Sequence, residues 1–233
     1  MPTSFVLCFL IGFLTGGVPF GYLVGRAILK DDIRNHGSGN IGATNVGRVL
    51  GWKYGISVLL LDALKGFIPT WLVTSGRLGQ FEAGQLMHAA VLTGVSTILG
   101  HMYPIYLKLR GGKGVATAVG VVLILSPTAT LVAVTVFLLT LALFRTVAIS
   151  SICAAVAFGT FQLWKLGAAA LEPRWLSLTA FSVLVPLLII WRHRSNILRL
   201  MNRNSSPGTP PSADSSAAKS TGDTTEDETP NDQ

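Results

Sequence analysis

From Gly114 to Phe144 the chain runs through 31 residues without a charged side chain. So long an apolar stretch reads as membrane-buried. As one helix it would be about 46 Å long at 1.5 Å per residue. That is too long for a hydrocarbon core of about 30 Å without severe tilt. Ser126-Pro127 is the natural break, because proline has no N–H to continue the helix and clashes with the preceding turn. Splitting there leaves a short first piece, which Lys113 and its neighbours can extend. Apolar segments recur at 4–25, 54–74, 84–105, 147–164 and 175–191. Only 12% of the residues are charged, against about 25% in an ordinary soluble domain. The expected fold is all-α: a polytopic membrane protein with about seven transmembrane helices.

Charge supports the seven-helix count and sets the orientation. With the N-terminus outside, thirteen Lys/Arg fall on the inner side and only Arg77, Lys165 and Arg174 on the outer. With six helices the division is ten to six. Cytoplasmic loops carry the excess of cations, so seven helices and a cytoplasmic C-terminus are expected. The first cation is Arg26, after the first apolar run. That argues for a retained first helix rather than a cleaved signal peptide. Cys8 and Cys153 lie inside apolar runs, with no CxxC or metal-ligand spacing, and read as small buried hydrophobes.

Two domains are expected. Residues 1–203 form the membrane body, with a formal charge of +12; residues 204–233 carry −5. The tail is rich in Ser, Thr, Pro, Asp and Glu and lacks aromatic residues. Such a segment cannot bury a core and is expected to be a disordered cytoplasmic tail. A basic membrane body points to anionic lipid or anionic substrates. The cations sit in short loops rather than along one soluble face, which argues against nucleic acid.

Three polar segments then fall on one face. The first is Ser38-Gly39-Asn40-Ile41-Gly42-Ala43-Thr44-Asn45, with Arg48. Its glycines allow close approach of backbone N–H groups to a phosphate. Its short polar side chains add hydrogen bonds, and Arg48 adds a cationic fork. The second is His101-Met102-Tyr103-Pro104, then Arg110-Gly111-Gly112-Lys113-Gly114-Val115-Ala116-Thr117. It presents a lysine with little surrounding bulk and leads into a helix N-terminus. The GxxxxGK[ST] spacing of a nucleotide loop is absent. The third is Arg192-His193-Arg194-Ser195-Asn196-Ile197-Leu198-Arg199-Leu200. As a helix it sets His193 near Asn196. Asp62 and Lys65, three apart within an apolar helix, read as an ion pair bracing the bundle. His36 and His88 read as structural or exposed. There is no HExxH, no GxSxG and no HxxxxD. No acidic cluster suggests a metal, and no cofactor is expected.

Together the segments resemble the PlsY family of bacterial membrane acyltransferases. The matching residues are Ser38-Gly39-Asn40-x-Gly42-Ala43-Thr44-Asn45-x-x-Arg48, His101-x-x-Pro104 with Gly111-Gly112-Lys113-Gly114-Val115-Ala116-Thr117, and Arg192-His193-x-x-Asn196-Ile197-x-Arg199-Leu200. Asp62-x-x-Lys65-Gly66 fits as well. The resemblance covers about residues 3–203 and leaves out the acidic tail. It implies a seven-helix fold in the bacterial inner membrane, with the site at the cytoplasmic face. It implies transfer of an acyl group from acyl phosphate to sn-glycerol 3-phosphate, giving lysophosphatidic acid and phosphate, independently of acyl-CoA. On that reading Arg48 and Lys113, with Ser38 and Asn196, bind the glycerol 3-phosphate. The backbone from Gly39 to Thr44 holds the donor phosphate. His193 and Asn196 position the attacking hydroxyl, while the leaving phosphate takes its proton. Asn45, Gly111, Gly112, Gly114 and Thr117 complete the expected site. The alternative is a multi-pass transporter or lipid-binding protein without chemistry, which would favour polar residues at mid-membrane over polar motifs gathered on one face. A closer alternative is an acyltransferase using acyl-CoA.

Overall fold

The computed structural model describes residues 2–82 and 84–205. Among them every regular element is helical. In order these are α1 (Pro2–Gly17), α2 (Phe20–Ile28), α3 (Ala43–Leu50), α4 (Trp52–Thr74), α5 (Leu86–Met102), α6 (Val115–Leu125), α7 (Pro127–Phe144), α8 (Val147–Leu166), α9 (Leu176–Arg192) and α10 (Arg194–Ser205). Six segments are long and apolar enough to cross a membrane: Thr3–Ile28, Trp52–Thr74, Leu86–Leu107, Pro127–Phe144, Val147–Leu171 and Pro173–Arg192. α6, with 11 residues, is a shorter apolar helix. Residues up to Ile197 form one compact unit, and a second begins at Leu198. Apart from Asn204 and Ser205, the expected acidic tail lies outside the described residues.

The charge-free stretch is broken where proline demands it, with Ser126 between α6 and α7. The Ser126 hydroxyl donates to Gln162 Oε1 at 2.5 Å, so the break is tied to α8. A second break, at Val18-Pro19, divides the first apolar run into α1 and α2, where the sequence suggested one helix over 4–25. Proline again supplies the reason: its nitrogen cannot donate. Lys65 Nζ donates to the Val18 carbonyl at 2.8 Å and pairs with Asp62 Oδ1 at 2.7 Å, so the expected ion pair forms.

Small residues let the helices pack closely, the usual solution in lipid. A Cβ on Gly16 of α1 would collide with the Thr97 backbone of α5, and one on Gly120 of α6 with the Ala63 carbonyl of α4. The main core gathers Ile98, Met102, Val121, Leu178 and Phe181. A smaller core of Ile33, Ile41, Val46, Val58 and Leu107 lies under the first polar loop. On α7, Leu131, Leu139 and Leu143 are 65–74% exposed, an apolar surface suited to lipid.

Candidate active site

The first polar segment is half loop and half helix. Asp32 caps a short turn at Ile33–Asn35, accepting from the Arg34 N–H. Gly37 and Gly39 then take left-handed φ values of +61° and +70°, a conformation open to glycine. Asn45 closes the loop from inside. It is 1% exposed; its Oδ1 accepts from the Ser38 N–H at 2.7 Å, and its Nδ2 donates to the carbonyls of Ile33 and His36. Asn45 thus shapes the cradle rather than lining it. Asn40 Oδ1 accepts from the Gly42 N–H, and the Gly39 N–H donates to the His36 carbonyl. The amides of Asn40, Ile41, Ala43 and Thr44 donate to no group among the described residues. Four backbone donors are therefore left unpaired around the start of α3, where its dipole adds positive potential. Thr44 and Arg48 are exposed on α3, and Arg48 has no side-chain partner among the described residues.

The second segment behaves differently. Its Gly111 and Gly112 N–H groups donate to the carbonyls of Met102 and His101 at 3.2 and 3.1 Å. Their own carbonyls accept from Arg192 Nη2 at 3.2 and 2.6 Å. A Cβ on Gly112 would strike the His101 ring, and one on Gly111 the His101 carbonyl and Pro104. Gly114, at φ +81°, would strike Met102. These glycines are there for packing, whereas sequence suggested room for an anion. Thr117 is 0% exposed, with its backbone against Gly66 between α6 and α4.

This packing delivers Lys113. Its Nζ donates to Asn196 Oδ1 at 2.5 Å, joining the second segment to the third. His193 ends α9, and its carbonyl accepts from the Asn196 and Ile197 N–H groups at the start of α10. His193 Nδ1 lies 2.8 Å from the Ile189 carbonyl. A carbonyl only accepts, so Nδ1 carries the proton and Nε2 is left as an acceptor. Burial pushes the imidazole below its ordinary range; the Ile189 contact opposes this, and the Lys113 and Arg192 cations add to the lowering. His193 is therefore neutral at pH 7.

The first and second segments and Arg192 share the wall of a cavity of about 960 Å³. Arg34, Lys108, Arg110 and Arg192 line it, with Tyr22, Gly39 and Gly111. The sequence assigns no individual role to Arg34 or Lys108, which lie outside the three polar segments, or to Arg110, which opens the second. An apolar cleft lies between α6, α7, α8 and α9, lined by Val115, Ala118, Ala155, Phe158 and Ile189 among others. Cavity and cleft thus touch the same two chain segments, at Gly111 and Val115 on either side of Lys113 and at Arg192 and Ile189 just before His193. His36 pairs with Asp31 and His88 with Ser177, each at 2.8 Å. No group of three His, Cys, Asp or Glu side chains stands together among the described residues.

An all-helical membrane fold with a lysine, an asparagine and a neutral histidine gathered beside cationic loops defines a class of integral membrane enzyme handling phosphorylated substrates. The sequence profile described as glycerol-3-phosphate acyltransferase matches residues 6–203. A glycerol-3-phosphate acyltransferase of Myxococcus xanthus (strain DK1622) is 45% identical over 194 residues, covering 83% of this chain and 94% of the relative. One from Staphylococcus aureus (strain Newman) is 39% identical over 201 residues, covering 84% and 93%. The crystal structure of PlsY (YgiH), an integral membrane glycerol 3-phosphate acyltransferase, in its glycerol 3-phosphate form matches with a TM-score of 0.75 at 37% identity, over 86% of this chain and 93% of that one. Its lysophosphatidic acid form matches with a TM-score of 0.72 at 36% identity, over the same shares. The chain belongs to this family, the PlsY glycerol-3-phosphate acyltransferases.

Proposed function

We propose that this acyltransferase uses acyl phosphate as donor, transferring the acyl group to sn-glycerol 3-phosphate in the first acylation of phospholipid synthesis. The carrying observation is the Lys113–Asn196 bridge beside His193, with a cationic cavity that reaches the neighbouring Gly111 and Arg192 and an apolar cleft that reaches Val115 and Ile189. A water-soluble phosphate ester and a lipid chain need two such approaches to one point.

Lys113 and Arg48 bind the phosphate of glycerol 3-phosphate, helped by Ser38 and Asn196. The free amides from Asn40 to Thr44 hold the phosphate of the donor, and the cleft takes its chain. Neutral His193 accepts a hydrogen bond at Nε2 from the attacking hydroxyl, and Asn196 fixes its direction. The hydroxyl oxygen bonds to the acyl carbon, the acyl–oxygen bond to phosphate breaks, and the departing phosphate keeps the electron pair and takes the hydroxyl proton. Because the donor is already activated, orientation and charge stabilisation supply most of the acceleration.

α6 serves as the seventh crossing, with the N-terminus outside and the C-terminus in the cytoplasm of a bacterial inner membrane. The thirteen-to-three distribution of cations supports this orientation. Purified protein should release phosphate from palmitoyl phosphate only when glycerol 3-phosphate is present. Turnover with acyl-CoA and none with acyl phosphate would overturn the donor assignment.

A further inference from the structure

We infer that Lys108 and Arg110 form an outer capture subsite for a phosphomonoester, on the wall of the cationic cavity and ahead of Lys113. The ligand's identity as glycerol 3-phosphate rests on the reading above; its chemistry rests on the cavity. Among the described residues Asp32 is the only carboxylate in the wall, and Arg34 already neutralises it with Nε at 3.0 Å from both oxygens and Nη2 at 2.6 Å from one. Arg192 is held by the Gly111 and Gly112 carbonyls and lies over the Tyr103 ring at 5.4 Å. Lys108 and Arg110 are exposed and have no side-chain partner among the described residues. The cavity thus carries two uncompensated cations aimed at no protein group.

The backbone is bent to present them. Lys108 and Leu109 are consecutive non-glycine residues at φ +53° and +62°, a conformation L-residues adopt rarely. Hydrogen bonds close the turn, from the Leu109 N–H to the Pro104 carbonyl at 2.9 Å and from the Arg110 N–H to the Leu107 carbonyl at 3.2 Å. Leu107 anchors it at 6% exposure, while Ile105, Tyr106 and Leu109 are 56–60% exposed. Exposed aromatic and aliphatic side chains beside cations suit the membrane–water interface. The mouth of the cavity therefore opens where a soluble phosphate arrives. Its wall offers only Ile41, Leu107 and Leu109 as aliphatic surface, too little for an acyl chain. This favours a free phosphomonoester over the donor lipid.

The test uses the full chain in nanodiscs of neutral lipid, comparing wild type with the Lys108→Gln/Arg110→Gln variant. Capture predicts that KM for glycerol 3-phosphate rises about five- to tenfold at low salt while kcat stays within twofold. The gap should close at 0.5 M salt, where charges are screened beyond about 3–5 Å, and KM for the acyl donor should not move. An unchanged KM for glycerol 3-phosphate, or a fall in kcat alone, overturns the subsite. A second arm measures inorganic phosphate binding by calorimetry, which needs no turnover and is independent of the donor assignment. Lys113→Ala protein should retain weak phosphate binding, and the Lys108→Gln/Arg110→Gln/Lys113→Ala protein should bind more weakly still, with only Arg48, Ser38 and the amides from Asn40 to Thr44 left. Equal binding by the two proteins overturns the proposal. A third arm adds phosphatidylglycerol to the nanodiscs. If wild type responds to it, the double variant does not, and their KM values for glycerol 3-phosphate agree, the cations hold a lipid headgroup and the capture of a soluble substrate is overturned.

Discussion

The two glycine-rich segments look alike in sequence and do opposite work. From Ser38 to Asn45 the glycines and Asn45 fold the loop outward, leaving the amides of Asn40, Ile41, Ala43 and Thr44 unoccupied. At Gly111 and Gly112 both amides and both carbonyls are bonded, and the surroundings leave no space for a Cβ. One loop leaves backbone donors unpaired. The other makes a rigid mount for a single side chain, Lys113. A glycine in a motif therefore does not say whether its peptide is a ligand or a strut.

The sharpest way to break this contrast is Lys113→Ala. Removing a charge-assisted hydrogen bond costs about 1.5–3 kcal/mol, so kcat/KM should fall roughly 10- to 150-fold in steady-state assays. Near-normal kinetics would refute a phosphate-binding role for Lys113 and leave the second loop with nothing functional to mount. Next in size is His193→Gln, expected to lower kcat about tenfold if the imidazole orients the hydroxyl. Wild-type kcat/KM should hold as pH falls through the ordinary imidazole value of 6.5 and decline only below it. The sign follows from the lowered value: the neutral form persists to more acidic pH, and function is lost as pH drops through the depressed pKa. In His193→Gln the remaining acid limb should be that of the substrate phosphate, near about 6.

A smaller effect separates the glycines themselves. Gly112→Ala forces a Cβ against His101 and should destabilise by about 1–3 kcal/mol, read as a lowered melting temperature with lost activity. Gly39→Ala meets only the Arg34 carbonyl, at 3.3 Å, and its strain is mainly the positive φ, about 1–2 kcal/mol. Equal damage at both positions would erase the distinction between cradle and mount. Truncation after Arg203 should have the least effect, leaving kcat and KM within about twofold, roughly 0.4 kcal/mol. A larger loss would give the acidic segment a part in the reaction.

Much of this was legible in advance. The charge-free run and Pro127 located a helix break, since hydrocarbon and proline act locally. The three polar segments stood out because polar residues are scarce in such a chain, and the structure joins two of them through Lys113 and Asn196. The break at Pro19 carried the same signal, but apolar residues on both sides masked it. α3 is hard to see in the sequence because Gly42 and Gly51 flank it and Gly47 lies within it. Its apolar residues Val46, Val49 and Leu50 pack on or belong to the small core with Ile33 and Val58, partners too distant in sequence to be inferred. At Gly111, Gly112 and Thr117 the sequence reveals residue type but not which neighbour fills the space beside it.

Lys65 carries a consequence for how the chain is assembled in a bilayer. Its ammonium pairs with Asp62 one turn away and also reaches the Val18 carbonyl between α1 and α2. During synthesis the first bend enters the membrane before α4 exists. Until α4 follows, Val18 lacks this donor; until the bend is in place, Lys65 lacks its acceptor outside α4. Each unmet group is disfavoured in hydrocarbon. The docking of α4 onto the α1–α2 bend therefore settles both groups at once, after the N-terminal hydrophobic segment has already entered the bilayer.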